Sequence, residues 1–172
     1  RDEYGFYLFS LQQFGEAKKQ LSQAVKLKSD SPGYRNHLAL VQISLGEYTD
    51  AIASLDKAIE LRDDFVDAWI NRGFANYQMK NYDEALKNYD QALVLNPKAV
   101  NAHNNKGLVY YQQKNFTEAV VEFTKCVMSH PDNPKYYEHR RLAYQQLGMQ
   151  DEARDDARRW EKLQQAHLVN QQ

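Results

Sequence analysis

Along Val66–Ala99 (VDAWINRGFANYQMKNYDEALKNYDQALVLNPKA) apolar residues recur every three to four positions in two runs, parted by the polar turn Lys80-Asn81. That spacing gathers each run's apolar residues on one face of a helix. It predicts helices over Val66–Met79 and Tyr82–Leu95. The same paired pattern returns along the chain: Asp2–Leu11 with Gly15–Lys28, Pro32–Leu45 with Tyr48–Leu61, Val100–Gln113 with Phe116–Ser129, and Lys135–Leu147 with Asp151–Leu168. No strand signal survives, so the expectation is an all-α chain of ten helices. Turns this short force the two helices of a pair to run antiparallel. Gly46 and Gly148 suit the left-handed conformation that ends a helix, and Asn81 and Asn115 tolerate it. Pro32, Pro97 and Pro131 stand at joints between pairs, and Pro134 at a favoured first-turn site.

Stacking the pairs reveals columns. Ala17, Ala51, Ala85, Ala119 and Ala153 lie 34 residues apart. A residue that small lets helix axes approach closely, and a larger one would overpack by about 1–3 kcal/mol. Gly5, Ala39, Gly73 and Gly107 form a second small column, read as facing the first. Ala24, Ala58, Ala92 and Cys126 form a third, which makes Cys126 a core residue and not a nucleophile. Larger residues fill the gaps: Phe14, Tyr48, Tyr82 and Phe116 at the turns, Leu21, Leu55, Tyr89 and Phe123 on the second helices, and Leu27, Leu61 and Leu95 closing them. A helical pair repeating at this period cannot bury its apolar face alone, so it implies a solenoid. One domain over 1–172 is expected, with repeats at about 1–31 (truncated), 32–65, 66–99, 100–133 and 134–172.

The fifth repeat departs from the columns. Arg141 takes the glycine position, Trp160 the third small position, and Arg154 and Glu161 replace apolar residues. Its last helix keeps a narrow apolar stripe of Ala153, Ala157, Trp160, Leu163 and His167/Leu168. One buried face marks a terminal capping helix. The first repeat shows no such cap, and Lys18 stands where later second helices are apolar.

Trp69, Gly73, Tyr82, Ala85, Tyr89, Ala92 and Pro97 stand in the order of the tetratricopeptide signature, and the chain resembles that family over nearly its whole length. The resemblance implies a right-handed α-α superhelix, with the first helix of each pair lining a concave groove. On that frame His37, Asn71, Asn105 and His139 form a groove-facing polar column able to bond an extended peptide backbone. Phe6, Leu40, Phe74, Leu108 and Leu142 form an apolar row one turn along. Phe9, Ile43, Tyr77 and Tyr111 run beside it, followed by Gln145, and Ser44, Gln78, Gln112 and Gln146 add a polar rim. Tyrosine joins apolar contact to a polar tip, a favoured interface chemistry. The expected peptide site is His37, Leu40, Asn71, Phe74, Tyr77, Gln78, Asn105, Leu108, Tyr111, Gln112, Lys135 and His139. Some members of the family clamp a terminal carboxylate with Lys, Asn and Arg. Asn105 and Lys135 match two of those slots, but Ile70, Phe74 and His139 break the rest. The groove therefore reads as built for a fairly apolar or neutral peptide.

Charge and composition narrow the function further. A net charge of −1 lacks the basic balance of a nucleic-acid protein. No apolar run approaches the ~18–20 residues that span a bilayer. No two of the five histidines form a His-x-x-x-His pair, and the single cysteine cannot form a zinc pair or an intrachain disulfide. Asp63-Asp64 and Asp155-Asp156 read as a joint and a solvated helix face. No catalytic, cofactor or metal site is expected, and a reducing, cytoplasmic setting is the default. The chain opens at Arg1, partway into its first repeat, and reads as a piece of a longer protein. The leading expectation is a protein-interaction scaffold or adaptor. Alternatives are the regulatory or substrate-recruiting array of a larger enzyme, and a homo-oligomer formed through the terminal repeats.

Overall fold

The computed structural model describes residues 2–169, with side chains through residue 166. Among these residues it holds ten α-helices and no strand: α1 Asp2–Ser10, α2 Phe14–Leu27, α3 Pro32–Ser44, α4 Tyr48–Leu61, α5 Val66–Gln78, α6 Tyr82–Leu95, α7 Val100–Gln112, α8 Phe116–Ser129, α9 Pro134–Gln146 and α10 Gln150–Val169. Each falls within two residues of its predicted span. Ser31 and Asn133 cap α3 and α9, each accepting a backbone N–H from the first turn, with proline next in line.

The helices divide into two compact units, residues 1–97 with α1–α6 and residues 98–172 with α7–α10. In the first unit α1 packs on α2, α3 on α4 and α5 on α6. Each second helix also leans on the following first helix, and the first helices touch directly, α1 on α3 and α3 on α5. The second unit repeats the scheme: α7 on α8, α8 on α9, α9 on α10, and α7 on α9.

The small columns are the packing rule. Ala17, Ala51, Ala85, Ala119, Ala58, Ala92 and Cys126 are all fully buried. Burial also pushes the Cys126 thiol up to about 12, so it is an inert core group. The glycines at 5, 73 and 107 face not the alanine column, as expected, but the large residues of their own second helices. A Cβ on Gly73 would lie 2.5 Å from the Tyr89 ring, one on Gly107 2.6 Å from the Phe123 ring, and one on Gly5 2.7 Å from Leu21 Cγ. The absent side chain on each first helix is the space its own second helix fills.

Three expectations need correction. Leu27, Leu61 and Leu95 are not core residues; they are 75%, 44% and 36% exposed, because each sits in the last turn, where the chain leaves the stack. Asp156 is not solvated; it is buried beneath Arg140, whereas its neighbour Asp155 is exposed. The left-handed residue of the third and fourth turns is not Asn81 or Asn115 but the lysine before each, Lys80 at φ 63° and Lys114 at φ 62°. These align by the repeat with Gly46 and Gly148, at φ 77° and 75°. Asn81 and Asn115 are instead the N-caps of α6 and α8.

A side chain in that conformation costs roughly 1–2 kcal/mol, which glycine avoids. Lys80→Gly is therefore expected to raise stability by about 0.5–1 kcal/mol, read as a higher thermal midpoint; an unchanged or lower midpoint contradicts the assignment.

The ends of the chain differ. On α10 Ala153 is buried and Ala157, Trp160 and Leu163 are half-buried, with Trp160 and Leu163 packed on Cys126, Val127, Tyr136 and Tyr137. His167 and Leu168, the end of the predicted stripe, lie outside the described side chains. On α1 the opposite holds. Tyr4, Tyr7 and Leu11 are about half exposed on one face. Lys18 answers its apolar column by reaching Glu47, 2.5 Å away across the α3–α4 turn.

Candidate functional site

The members of the predicted polar column lie on the first helices of each unit, and they already have partners. His37 Nδ1 lies 2.8 Å from Asp2 Oδ1, Asn71 Nδ2 donates to Asn36 Oδ1 at 2.9 Å, and His139 Nδ1 lies 2.8 Å from Asn104 Oδ1. Each rung spans 35 residues, from one first helix to the next. The rungs thus tie α1 to α3, α3 to α5 and α7 to α9, because amides and imidazoles half-removed from water must be satisfied. Asn105 is half-buried and accepts from Asn104 Nδ2 at 3.3 Å. What remains for a ligand is the second face of each group.

In the first unit Leu40, Phe74 and Tyr77 are half-buried and Gln78 is exposed. Phe74 and Tyr77 are 6.3 Å apart between ring centroids, and Tyr77 continues to Tyr82 at 6.0 Å. At the start of the row Phe6 lies 4.7 Å from the His37 ring. The apolar row therefore does two jobs: it packs between first helices and leaves aromatic edges in solvent.

In the second unit the predicted residues converge. Leu108, Tyr111 and Gln112 of α7 and His139 and Leu142 of α9 surround an open cavity of about 200 Å³, with Phe123 of α8 as a further wall. The His139 ring sits 5.3 Å from that of Phe123. Since Asn104 Oδ1 can only accept, Nδ1 carries the proton and donates it. Burial, aided by the charge of Lys135, holds His139 down at about 4, so the ring is neutral near neutral pH. Lys135 itself is exposed one turn earlier on α9. Phe123 was assigned only to the core, and its ring makes both contacts; nothing in its spacing marks that second role.

The neutral ring has a consequence for stability. The folded pKa lies below the unfolded value of roughly 6.5, so the unfolded chain takes the proton first. The associated stability is present above about pH 6.5 and is lost as pH falls toward about 4, on the order of 1–2 kcal/mol after allowing for residual solvent contact. His139→Asn, which restores the amide of Asn71 and Asn105, should flatten that part of the profile. Urea unfolding of both proteins at about pH 7 and about pH 5 checks it, and parallel profiles would contradict it.

Sequence reasoning missed a polar network between helices. Arg72 of α5 donates to Asn88 of α6 at 2.6 Å and to Asp56 of α4 at 2.6 Å. Arg140 of α9 does the same two repeats on, with both Asp156 oxygens of α10 at 2.8 and 2.7 Å and Thr124 of α8 at 3.2 Å. Each arginine binds residues 16 before and 16 after itself. That spacing, one residue short of half the repeat, was the available signal. In α8, burial pushes the Glu122 carboxyl up, but Lys125 and His103 hold it below the usual carboxylate range. No group of three or more His, Cys, Asp or Glu suited to a metal ion occurs among the described residues, and no described helix is long and apolar enough to cross a membrane.

Family models agree with this architecture. A model described as TPR repeat matches residues 41–80 and 77–114, one described as Tetratricopeptide repeat matches 100–133, and one described as Anaphase-promoting complex, cyclosome, subunit 3 matches 4–58. No curated protein matches the chain. Among solved structures, MamA is similar with a TM-score of 0.84 at 22% identity over 96% of each chain. MamA 41-end from Desulfovibrio magneticus RS-1 is similar with a TM-score of 0.77 at 19% identity, over 97% of this chain and 93% of that one. Pseudomonas aeruginosa pilF is similar with a TM-score of 0.85 at 21% identity, over 94% of this chain and 73% of that one. At these identities the likeness is one of fold.

Proposed function

Because the chain belongs to the tetratricopeptide repeat family, we propose that it is a protein-interaction scaffold that holds an extended peptide or helix against its first-helix faces. The observation that carries this is the gathering of Leu108, Tyr111, Gln112 and His139 around one open cavity. Half-buried aromatics bordered by exposed amides give apolar contact at low entropic cost together with hydrogen bonds to a backbone. Asn71 and His139 are poor first targets for a test, since removing either breaks a rung between helices. Gln112 is exposed and Tyr111 half-buried, so they report on binding more cleanly. A peptide selected by display on this protein should bind a Tyr111→Ala, Gln112→Ala variant about tenfold more weakly, with helicity unchanged. Equal affinity would defeat the assignment.

A second reading, self-association through the first repeat, is supported by one column. Val41, Ala75, Val109 and Ala143 are fully buried, yet Tyr7 at the same position of α1 is 57% exposed. A bulky aromatic left uncovered on a stacking face is a surface that association would bury. Sedimentation across a concentration series tests it: monomer throughout excludes it, and Tyr7→Lys should abolish any association seen.

A further inference from the structure

Resting on the peptide-binding reading above, we infer that the cavity between α7 and α9 is an anchor pocket for one uncharged apolar side chain (leucine, methionine or phenylalanine) of an extended peptide that carries an acidic residue beside it. Size is the first argument. The cavity measures about 200 Å³, and roughly 150 Å³ of apolar cavity is enough to hold a benzene ring. One large side chain fits.

The walls are the second argument. Leu108, Leu142 and Phe123 are apolar, and no lining residue is charged near neutral pH, because His139 is held neutral. A lysine side chain entering there would lose its hydration without a counter-charge. The wall also carries one directed polar atom. His139 commits its Nδ1 proton to Asn104, which leaves a lone pair on Nε2, and the ring makes no other hydrogen bond to a described residue. That nitrogen can accept a ligand backbone N–H, and the exposed Gln112 amide stands at the same cavity.

Charge at the rim is the third argument. Glu138 and Arg141, next along α9, have opposite signs. Lys135 is exposed with no ion-pair partner among the described residues, and its charge is felt at His139. The neutral pocket therefore sits beside an unmatched cation, which a carboxylate next to the anchor would answer.

Blocked amino acids test this on the whole chain by NMR titration. N-acetyl-leucinamide and N-acetyl-phenylalaninamide should give saturable shifts at the Leu108 and Leu142 methyls and the His139 ring, and N-acetyl-lysinamide should give none. The blocked dipeptide Leu-Glu should bind about threefold or more tighter than Leu-Lys, and Lys135→Glu should reverse that order. Leu142→Trp, which fills the cavity, should remove the shifts. Absent or unsaturable shifts, or an order that Lys135→Glu leaves alone, would overturn the pocket. The display-selected peptide separates this from the broader reading. If it binds wild type, Lys135→Glu and Leu142→Trp alike, the interaction face stands and the pocket falls. If no selected peptide binds while blocked leucine still saturates the site, the pocket stands and the broader reading falls.

Discussion

Asp156→Ala is expected to destabilise the chain by about 2–4 kcal/mol, against less than about 1 kcal/mol for Asp56→Ala, although both aspartates pair with an arginine at the same repeat position. The difference is burial. The side chains of Arg140 and Asp156 are 15% and 6% exposed, whereas Asp56 is 45% exposed beside Arg72. Asp156 takes both a Nε and a Nη2 hydrogen bond from the guanidinium, and Thr124 takes Nη1. Removing the carboxylate leaves a largely desolvated cation with one neutral hydrogen-bond partner and two distant tyrosine rings, so the cost is the uncompensated charge and not the worth of the pair. Arg72 would keep Asn88 and recover water in place of Asp56. Denaturation midpoints at unchanged m-value measure both losses. Replacing the buried pair together, Arg140→Met with Asp156→Leu, should cost much less than Asp156→Ala alone. Equal losses for Asp156→Ala and Asp56→Ala would mean that water reaches Arg140 and that the pair is not enclosed.

The helices and their pairing were legible because repetition averages out local ambiguity: every turn and small column is seen four or five times. What repetition hides is which of two adjacent residues bears a strain. Asparagine has the better record for left-handed backbone, yet Lys80 and Lys114 adopt it, since the register of Gly46 and Gly148 overrides the preference of the individual residue. The candidate site was legible as a row but not as contacts. Asn71 and His139 were recognisable as polar groups on the first-helix face, but their partners Asn36 and Asn104 stand one position off the repeat, at 35 residues and not 34. The arginine network falls close to half the repeat, 16 residues either way. A comparison of like columns with like columns passes over both spacings. Side-chain reach across a stack is oblique, and only the packed structure fixes the obliquity.

The second large effect follows from the glycine column. Gly73→Ala should lower stability by about 1–3 kcal/mol, even though alanine is the better helix former by about 1 kcal/mol. The added Cβ would lie 2.5 Å from Tyr89 Cε1 and 2.9 Å from Cδ1 and Cζ, and Tyr89 is fully buried, so the ring has nowhere to retreat. The second repeat contains the solution to the same problem: Ala39 stands in the glycine column and Leu55 in the tyrosine column, both fully buried. The fifth repeat inverts the sizes altogether, with Arg141 on the first helix and Ala157 on the second. From the second repeat to the fifth, volume is thus held roughly constant across the pair and not at either position. Tyr89→Leu alone should cost about 2 kcal/mol or more by opening a cavity beneath Gly73. The double variant Gly73→Ala, Tyr89→Leu should recover at least about 1 kcal/mol of the summed losses, because the new methyl group fills part of the space the ring vacates. Interactions of the Tyr89 side chain elsewhere are lost in both arms that carry leucine, so they cancel in the cycle. A strictly additive double variant would show that Gly73 and Tyr89 do not share their space, and that the close approach of α5 and α6 is held open by something other than the missing side chain.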